Sequence, residues 1–100
     1  MPVTVIVAGG ELILAGQTLD ISRGGMRFST TTDLLAGARV VLRFTLPEGE
    51  RELLIRGRVV LSYYDAILMS YAHGIAFTQY TQADYDEIGS YVDGVEAASA

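Results

Sequence analysis

The chain has 100 residues, half of them hydrophobic, and this length is typical of a single domain. It contains no cysteine, which excludes a disulfide framework, a thiolate nucleophile and a cysteine metal site. The formal net charge of −5, the lack of an apolar run of ~20 residues and an N-terminus without signal-peptide features lead us to expect a cytoplasmic protein with neither a nucleic-acid partner nor membrane insertion.

Three strands are predicted in the first third of the chain, because apolar and β-branched residues alternate there with polar ones. They cover residues 3–7, 11–22 and 25–30. Gly9-Gly10 forms the turn between the first two, and Gly16 is expected to produce a bulge or bend. Arg23-Gly24-Gly25 must reverse the chain, so we expect glycine at positive φ in this turn.

A hairpin is predicted in the middle of the chain. A loop at 31–37, in which Leu34 or Leu35 plugs a barrel end, leads into two alternating runs, 39–46 and 51–61, that flank a turn at 47–50. If Glu48 and Gly49 are the central residues of that turn, each inward-facing residue of one strand pairs with an inward-facing residue of the other. A shift of the register by one residue would destroy this match. The predicted pairs are Arg39 with Arg58, Leu42 with Ile55 and Phe44 with Leu53. The inward face of the second run would carry Leu53, Ile55, Gly57, Val59 and Leu61.

The last third of the chain predicts a strand at 71–78 and a C-terminal helix. Thr81 is the expected N-cap, and Tyr85, Ile88, Val92 and Val95 recur at helical spacing. We expect the helix to fray near Gly94, the domain to cover residues 1–96 and the tail at 97–100 to be disordered. The connection at 63–71 carries Ile67, Leu68 and Met69, so we predict that it forms an interface with a second copy or a protein partner, together with Tyr85, Ile88 and Val92.

Three stretches together are similar to a known family. Asp20-x-Ser22-x-x-Gly25 resembles the second signature, (Asp/Asn)-x-Ser-x-x-Gly, of the PilZ domain family. Gly57-Arg58-Val59-Val60 resembles the family's penultimate strand, and His73-Gly74-Ile75-Ala76-Phe77 resembles its last. The resemblance covers nearly the whole chain and implies a mostly β fold, a six-stranded antiparallel β-barrel with a C-terminal α-helix. It also implies a signalling module of the lineage that binds cyclic di-GMP.

The resemblance assigns Asp20, Ser22 and Gly25 to the ligand, and Arg23 lies beside them. A carboxylate can accept from a guanine edge, a hydroxyl can donate to phosphate, and arginine suits phosphate. The alternatives are that Asp20 and Ser22 only bond the amides of their own turn and that Arg23 is solvated. The family's first signature, Arg-x-x-x-Arg, is missing because no arginine precedes Arg23. We therefore expect weak or no cyclic di-GMP binding; the alternative function is an adaptor that binds a protein without nucleotide.

No enzyme site is predicted. Ser22 has no neighbouring base in the pattern, and His73, the single histidine, is expected to be structural. With one histidine and no cysteine we expect no metal, no catalytic residue and no cofactor.

Four arginines fall on the outward face of the predicted hairpin, namely Arg39, Arg43, Arg56 and Arg58. They form either a basic patch for an acidic partner or an ordinary solvated face. The predicted core comprises Val5, Leu19, Ile21, Met26, Phe28, Leu42, Phe44, Ile55, Val59, Ile75, Phe77 and Ile88.

Overall fold

Six antiparallel strands close into a barrel, and one helix follows. The computed structural model describes residues 1–10 and 12–99, with side chains as far as Val95. The elements are β1 (Pro2–Val7), β2 (Ile13–Ile21), β3 (Gly25–Thr30), β4 (Arg39–Phe44), β5 (Leu53–Asp65), β6 (Ser70–Gln79) and α1 (Gln82–Ser99). The ring order is β1-β2-β3-β6-β5-β4, and the pairing of β1 with β4 closes it. The predicted fold is confirmed.

The β4–β5 hairpin has the predicted register. Leu42 pairs with Ile55, Phe44 with Leu53 and Arg39 with Arg58. Leu42 is fully buried, whereas Arg43 is exposed. Strict alternation on both strands specifies this pairing, because one face of each strand must reach the core.

The barrel interior is filled by the apolar faces of the strands and by Ile88 of α1. Most of the predicted core is buried, and Leu34 rather than Leu35 is the buried leucine of the loop. Ile21 and Phe77 are half-buried and pack against this core. Leu19 was wrongly placed inside, since it is 37% exposed. The register of β2 against β3 shifts between Thr18 and Asp20, so the bulge falls at Leu19 and not at Gly16.

The β5–β6 hairpin is longer than the sequence predicts. Both strands continue into the segment expected to be a connection, and only residues 66–69 form the turn. The carboxylate of Asp65 accepts hydrogen bonds from the backbone N–H groups of Ile67 and Leu68, at 2.9 and 3.0 Å, which fixes this tight turn. A second bulge in β5 turns Leu61 outward, so its predicted inward position was wrong.

The helix α1 begins with a reciprocal cap. The backbone N–H of Asp84 donates to Thr81 Oγ1, and the N–H of Thr81 donates to Asp84 Oδ2, both at 3.1 Å, which confirms Thr81 as N-cap. The helix continues past Gly94 to Ser99. Fraying near Gly94 and disorder of the tail at 97–100 stay predictions, and Ala100 lies outside the described residues. Ile88 belongs to the barrel core, which removes it from the predicted interface.

Candidate functional site

The predicted site residues meet at a shallow groove beside the β2–β3 turn. Its volume is about 320 Å³, and it lies between that turn and the outer surface of β5 and β6. Asp20, Ser22 and Gly25 line it, as does Arg27 of β3. The floor is formed by residues of β6, namely Gly74, Ile75 and Ala76. Three of the four predicted residues are therefore brought together on one surface.

Asp20 is held by an arginine that the sequence analysis did not select. Arg27 Nε and Nη2 lie 2.8 and 2.6 Å from Asp20 Oδ2, and Arg27 Nη1 donates to the Tyr63 hydroxyl at 3.3 Å. The hydrogen bond to Asp20 and the charge of that carboxylate raise the pKa of Arg27. The signal for Arg27 was its outward position between Met26 and Phe28, one strand away from Asp20 and paired with it in the ladder.

Ser22 and the glycine turn are bonded to each other. The backbone N–H of Ser22 donates to the Gly25 carbonyl at 2.8 Å, and Ser22 Oγ lies 3.3 Å from the same oxygen. The bond made by the Ser22 hydroxyl therefore goes to a carbonyl, not to the turn amides considered in the sequence analysis. Because Ser22 is exposed, its hydroxyl can turn to a ligand at little cost.

The two glycines of the turn do not serve the role expected of them. Neither Gly24 nor Gly25 adopts positive φ. Gly25 is needed for space, because a Cβ at this position would overlap the carbonyl oxygen of Ile75 on β6. Gly25 pairs with Ala76 in the ladder, and Phe77 N–H donates to the Gly24 carbonyl at 2.9 Å. The signature glycine thus lets β3 and β6 approach closely below the groove.

Arg23 lies away from the groove. Its Nη2 is 2.6 Å from Asp93 Oδ1 and 3.4 Å from the Gly89 carbonyl, both on α1. Because the guanidinium is directed toward the helix, it does not line the groove with Asp20 and Ser22. The structure therefore separates the fourth predicted site residue from the other three.

His73 is fully buried in the barrel. Its Nε2 lies 3.1 Å from both Thr30 Oγ1 and the Thr32 carbonyl, and its ring packs 5.3 Å from that of Phe28. The Thr30 hydroxyl is 2.6 Å from the Thr32 carbonyl and donates to it, so Nε2 carries the proton and donates in turn. Nδ1 has no hydrogen-bond partner among the described residues, and burial lowers the pKa of His73. A neutral histidine in this position supports the structural role expected for it.

Within residues 1–10 and 12–95, whose side chains are described, no group of three or more histidine, aspartate or glutamate side chains is placed to hold a metal ion. Among residues 1–10 and 12–99, no helix is long and apolar enough to cross a membrane.

The chain is a closed six-stranded barrel in which the β2–β3 turn, with Asp20-x-Ser22-x-x-Gly25, borders a surface groove, and this is the architecture of a PilZ-type domain. The family model described as the PilZ domain matches residues 1–94, and the chain belongs to this family. A direct search of curated proteins gives no match.

The solved structures that are similar to this chain include the following two. The Bacillus subtilis inhibitor of motility, MotI/DgrA, superimposes with a TM-score of 0.84 at 17% identity, over 98% of this chain and 48% of that one. The chain thus spans about half the length of that protein, and the likeness shows the fold alone. The PilZ domain of CeSA from a cellulose-synthesizing bacterium has a TM-score of 0.69 at 26% identity, over 96% of this chain and 92% of that one.

Proposed function

We propose that this PilZ domain is a cytoplasmic, non-enzymatic signalling module of the cyclic di-GMP receptor lineage, and that residues 1–100 hold only part of the nucleotide site. The observation that carries this proposal is the distribution of positive charge around the groove. Arg27 is the guanidinium that lines it, and Asp20 already neutralises it at 2.6 Å. Arg23, the second arginine near the turn, is paired with Asp93.

The shortage of free arginines lowers the expected affinity for cyclic di-GMP. Cyclic di-GMP carries two phosphates, and a hydrogen bond between charged groups contributes about 1.5–3 kcal/mol. Two missing arginine contacts would cost roughly 3–6 kcal/mol, which is about two to four decades in the dissociation constant. Asp20 does not compensate, because a carboxylate repels phosphate. The groove therefore suits a guanine edge better than it suits the phosphates.

Calorimetric titration of the purified chain with cyclic di-GMP tests this proposal. We expect weak heats without saturation in the micromolar range, and further weakening in Asp20→Ala. Arg43→Gln is the matched control, since Arg43 is paired with Glu52 on the other side of the barrel and does not line the groove. Micromolar or tighter binding that depends on Arg23 or Arg27 would refute the partial site.

A second candidate function is that of an adaptor that binds a protein, and the β5–β6 hairpin favours it. The tip carries Ile67 at 94% exposure and Met69 at 78%, with Leu68 beside them. Tyr64 on β5 is also exposed and packs edge-on against Tyr71 of β6 at 5.4 Å. The turn does not fold under the barrel, so these side chains are accessible to a partner or to a second copy of the chain.

A further inference from the structure

Three exposed arginines lie together on the outer wall of β4 and β5. Arg39 of β4 is directly opposite Arg58 of β5, and Arg56 is two residues from Arg58 and so faces the same way. We call Arg39, Arg56 and Arg58 the basic face. Like charges directly opposite each other in a sheet are destabilising, so this arrangement costs the isolated domain some stability.

The basic face differs from the other arginines of the chain in having no ion-pair partner among the carboxylates that the structure describes. Arg23, Arg27, Arg43 and Arg51 each form an ion pair, with Asp93, Asp20, Glu52 and the Asp84–Glu87 pair respectively. In the described part of the chain, no carboxylate lies within ion-pair distance of Arg39, Arg56 or Arg58. A chain with twelve acidic residues and a net charge of −5 therefore leaves this one face positive.

The surface around the basic face is concave and partly apolar. A groove of about 450 Å³ is lined by the three arginines and by Val41, Thr78 and Gln79. Along the same face of β5, Leu54 and Val60 precede and follow the two arginines and are 57% and 52% exposed. Four successive outward-facing residues of β5 are thus apolar, basic, basic and apolar, namely Leu54, Arg56, Arg58 and Val60.

We propose that the basic face binds an acidic segment of a partner protein, with carboxylates on Arg39, Arg56 and Arg58 and apolar side chains on Leu54 and Val60. The positive charge of the basic face favours acidic residues in the partner segment, since arginine pairs with carboxylates in bidentate geometry. The exposed leucine and valine favour a polypeptide over a small phosphate ligand, which would leave both uncovered. Because the barrel is closed, the segment cannot add to a sheet edge and must be recognised through side chains.

This inference goes beyond the proposed function and is independent of nucleotide binding. The three arginines line a groove that shares no lining residue with the groove at Asp20, Ser22 and Gly25, although Val60 of the proposed contact also lines the latter. Loss of peptide binding in Arg56→Gln or Arg58→Gln therefore tests the basic face alone, and failures of the two proposals are distinguishable.

The test is a titration of isotope-labelled protein, followed by amide NMR, with a synthetic peptide of Glu-Leu-Glu-Glu repeats. A peptide with glutamine in place of glutamate is the charge control. We expect saturable shifts at the amides of 39–41, 54–60 and 78–79, weakened by added salt. Arg56→Gln and Arg58→Gln should each raise the dissociation constant about tenfold, while Arg23→Gln, which is paired with Asp93 beside α1 and lines neither groove, should leave it unchanged.

Four outcomes would overturn the proposal. The glutamine peptide could bind as tightly as the acidic one, the shifts could map to the β5–β6 turn or to the Asp20 groove, or Arg56→Gln and Arg58→Gln could bind normally. Inorganic pyrophosphate is the competitor: if it displaces the peptide at stoichiometric concentration, the surface is a phosphate site and not a protein-docking face. Folding of each variant is checked from its own amide spectrum, and the neutral glutamine substitutions remove charge at exposed positions only.

Discussion

Arg23 and Asp93 join the signature turn to the C-terminal helix, with Arg23 Nη2 and Asp93 Oδ1 2.6 Å apart across seventy residues of sequence. At the other end of the helix, Arg51 in the β4–β5 turn contacts the buried Asp84 at 2.9 Å. Two turns of the barrel thus hold α1 through ion pairs. The first of these contacts also holds the guanidinium of Arg23 against α1 and away from the groove.

Asp93→Asn is predicted to strengthen cyclic di-GMP binding. Removing the carboxylate charge weakens the hold on Arg23, which can then turn toward a phosphate at the groove. Stability should fall by at most about 1 kcal/mol, because the Arg23 and Asp93 side chains are 39% and 62% exposed and ion pairs at the surface contribute little. Calorimetry measures the affinity and thermal unfolding measures the stability.

Asp86→Asn is the matched control for this substitution. Asp86 is exposed on the same helix and is bonded by Gln82, not by an arginine of the barrel. Equal affinity in Asp93→Asn and the unchanged protein would mean that Arg23 does not reach the ligand even when it is released.

Gly25→Ala is predicted to destabilise the barrel strongly, whereas Gly24→Ala should be close to neutral. A Cβ on Gly25 overlaps the Ile75 carbonyl and must push β3 away from β6, and overpacking of this kind costs about 1–3 kcal/mol. A Cβ on Gly24 meets nothing within 4 Å. Urea unfolding of both variants gives the difference, and similar losses in the two would show that the turn itself, rather than the close approach, needs glycine.

Stability is predicted to fall as the pH drops below about 6.5, the ordinary pKa of histidine. Burial lowers the pKa of His73 in the folded chain, so the unfolded chain binds the proton first. The free energy of unfolding therefore keeps its full value above pH 6.5 and declines below it, by up to about 1.4 kcal/mol per pH unit, until the folded form is protonated as well.

His73→Gln provides the control for the pH experiment. The variant should be less stable overall but should lose the pH dependence between about 6.5 and the lowered pKa. Asp84 acts in a separate, more acidic range: burial would raise its pKa, but hydrogen bonds from Thr81 and Arg51 outweigh that effect and lower it. An unchanged slope in His73→Gln would assign the transition to another group.

The β5–β6 turn is predicted to drive any association of the chain. Ile67→Ser together with Met69→Ser should abolish concentration-dependent association in sedimentation experiments without changing the unfolding midpoint, since both side chains are exposed. Leu35→Ser is the comparison, because Leu35 is 79% exposed at another part of the surface. A protein that remains monomeric at every concentration would contradict self-association and leave the turn to a different partner.

A segment with Arg-x-x-x-Arg fused ahead of Met1 is predicted to create tight cyclic di-GMP binding. The Met1 carbonyl accepts a hydrogen bond from Thr18 N–H at 2.8 Å, and Met1, Thr18 and Asp20 line a common depression. Added residues would therefore start near the carboxylate proposed to bind guanine. Calorimetry should show a gain of about two to four decades that Asp20→Ala reduces, while a Gln-x-x-x-Gln fusion should show none.

The barrel itself was implied by the family resemblance. Alternation was enough to predict the register of β4 with β5, since Leu42, Phe44, Leu53 and Ile55 have only one way to reach the core together. It failed at Leu19 and Leu61, because a bulge adds one residue without any change in the apolar pattern.

In the candidate site, the motif grouped Asp20, Ser22 and Gly25, which line one groove, and their binding of a ligand stays a prediction. The motif could not reveal that Arg23 turns to a helix seventy residues away, because that contact depends on how α1 packs beside the turn. Arg27, by contrast, is seven residues from Asp20 and pairs with it in the β2–β3 ladder, so the hairpin register could have indicated it.

The closed ring has a consequence for a chain that leaves the ribosome N-terminus first. β3 pairs with β6, so the backbone edge of β3 at Thr30 has no partner until Tyr71 has been synthesised. In the same way, the edge of β1 has no partner until β4 has been synthesised. Until the last strand is released, the growing sheet presents unpaired backbone edges of the kind that invite pairing with other chains. We therefore expect ribosome-bound fragments that end before residue 70 to associate with chaperones, and fragments that include Gln79 to be released from them.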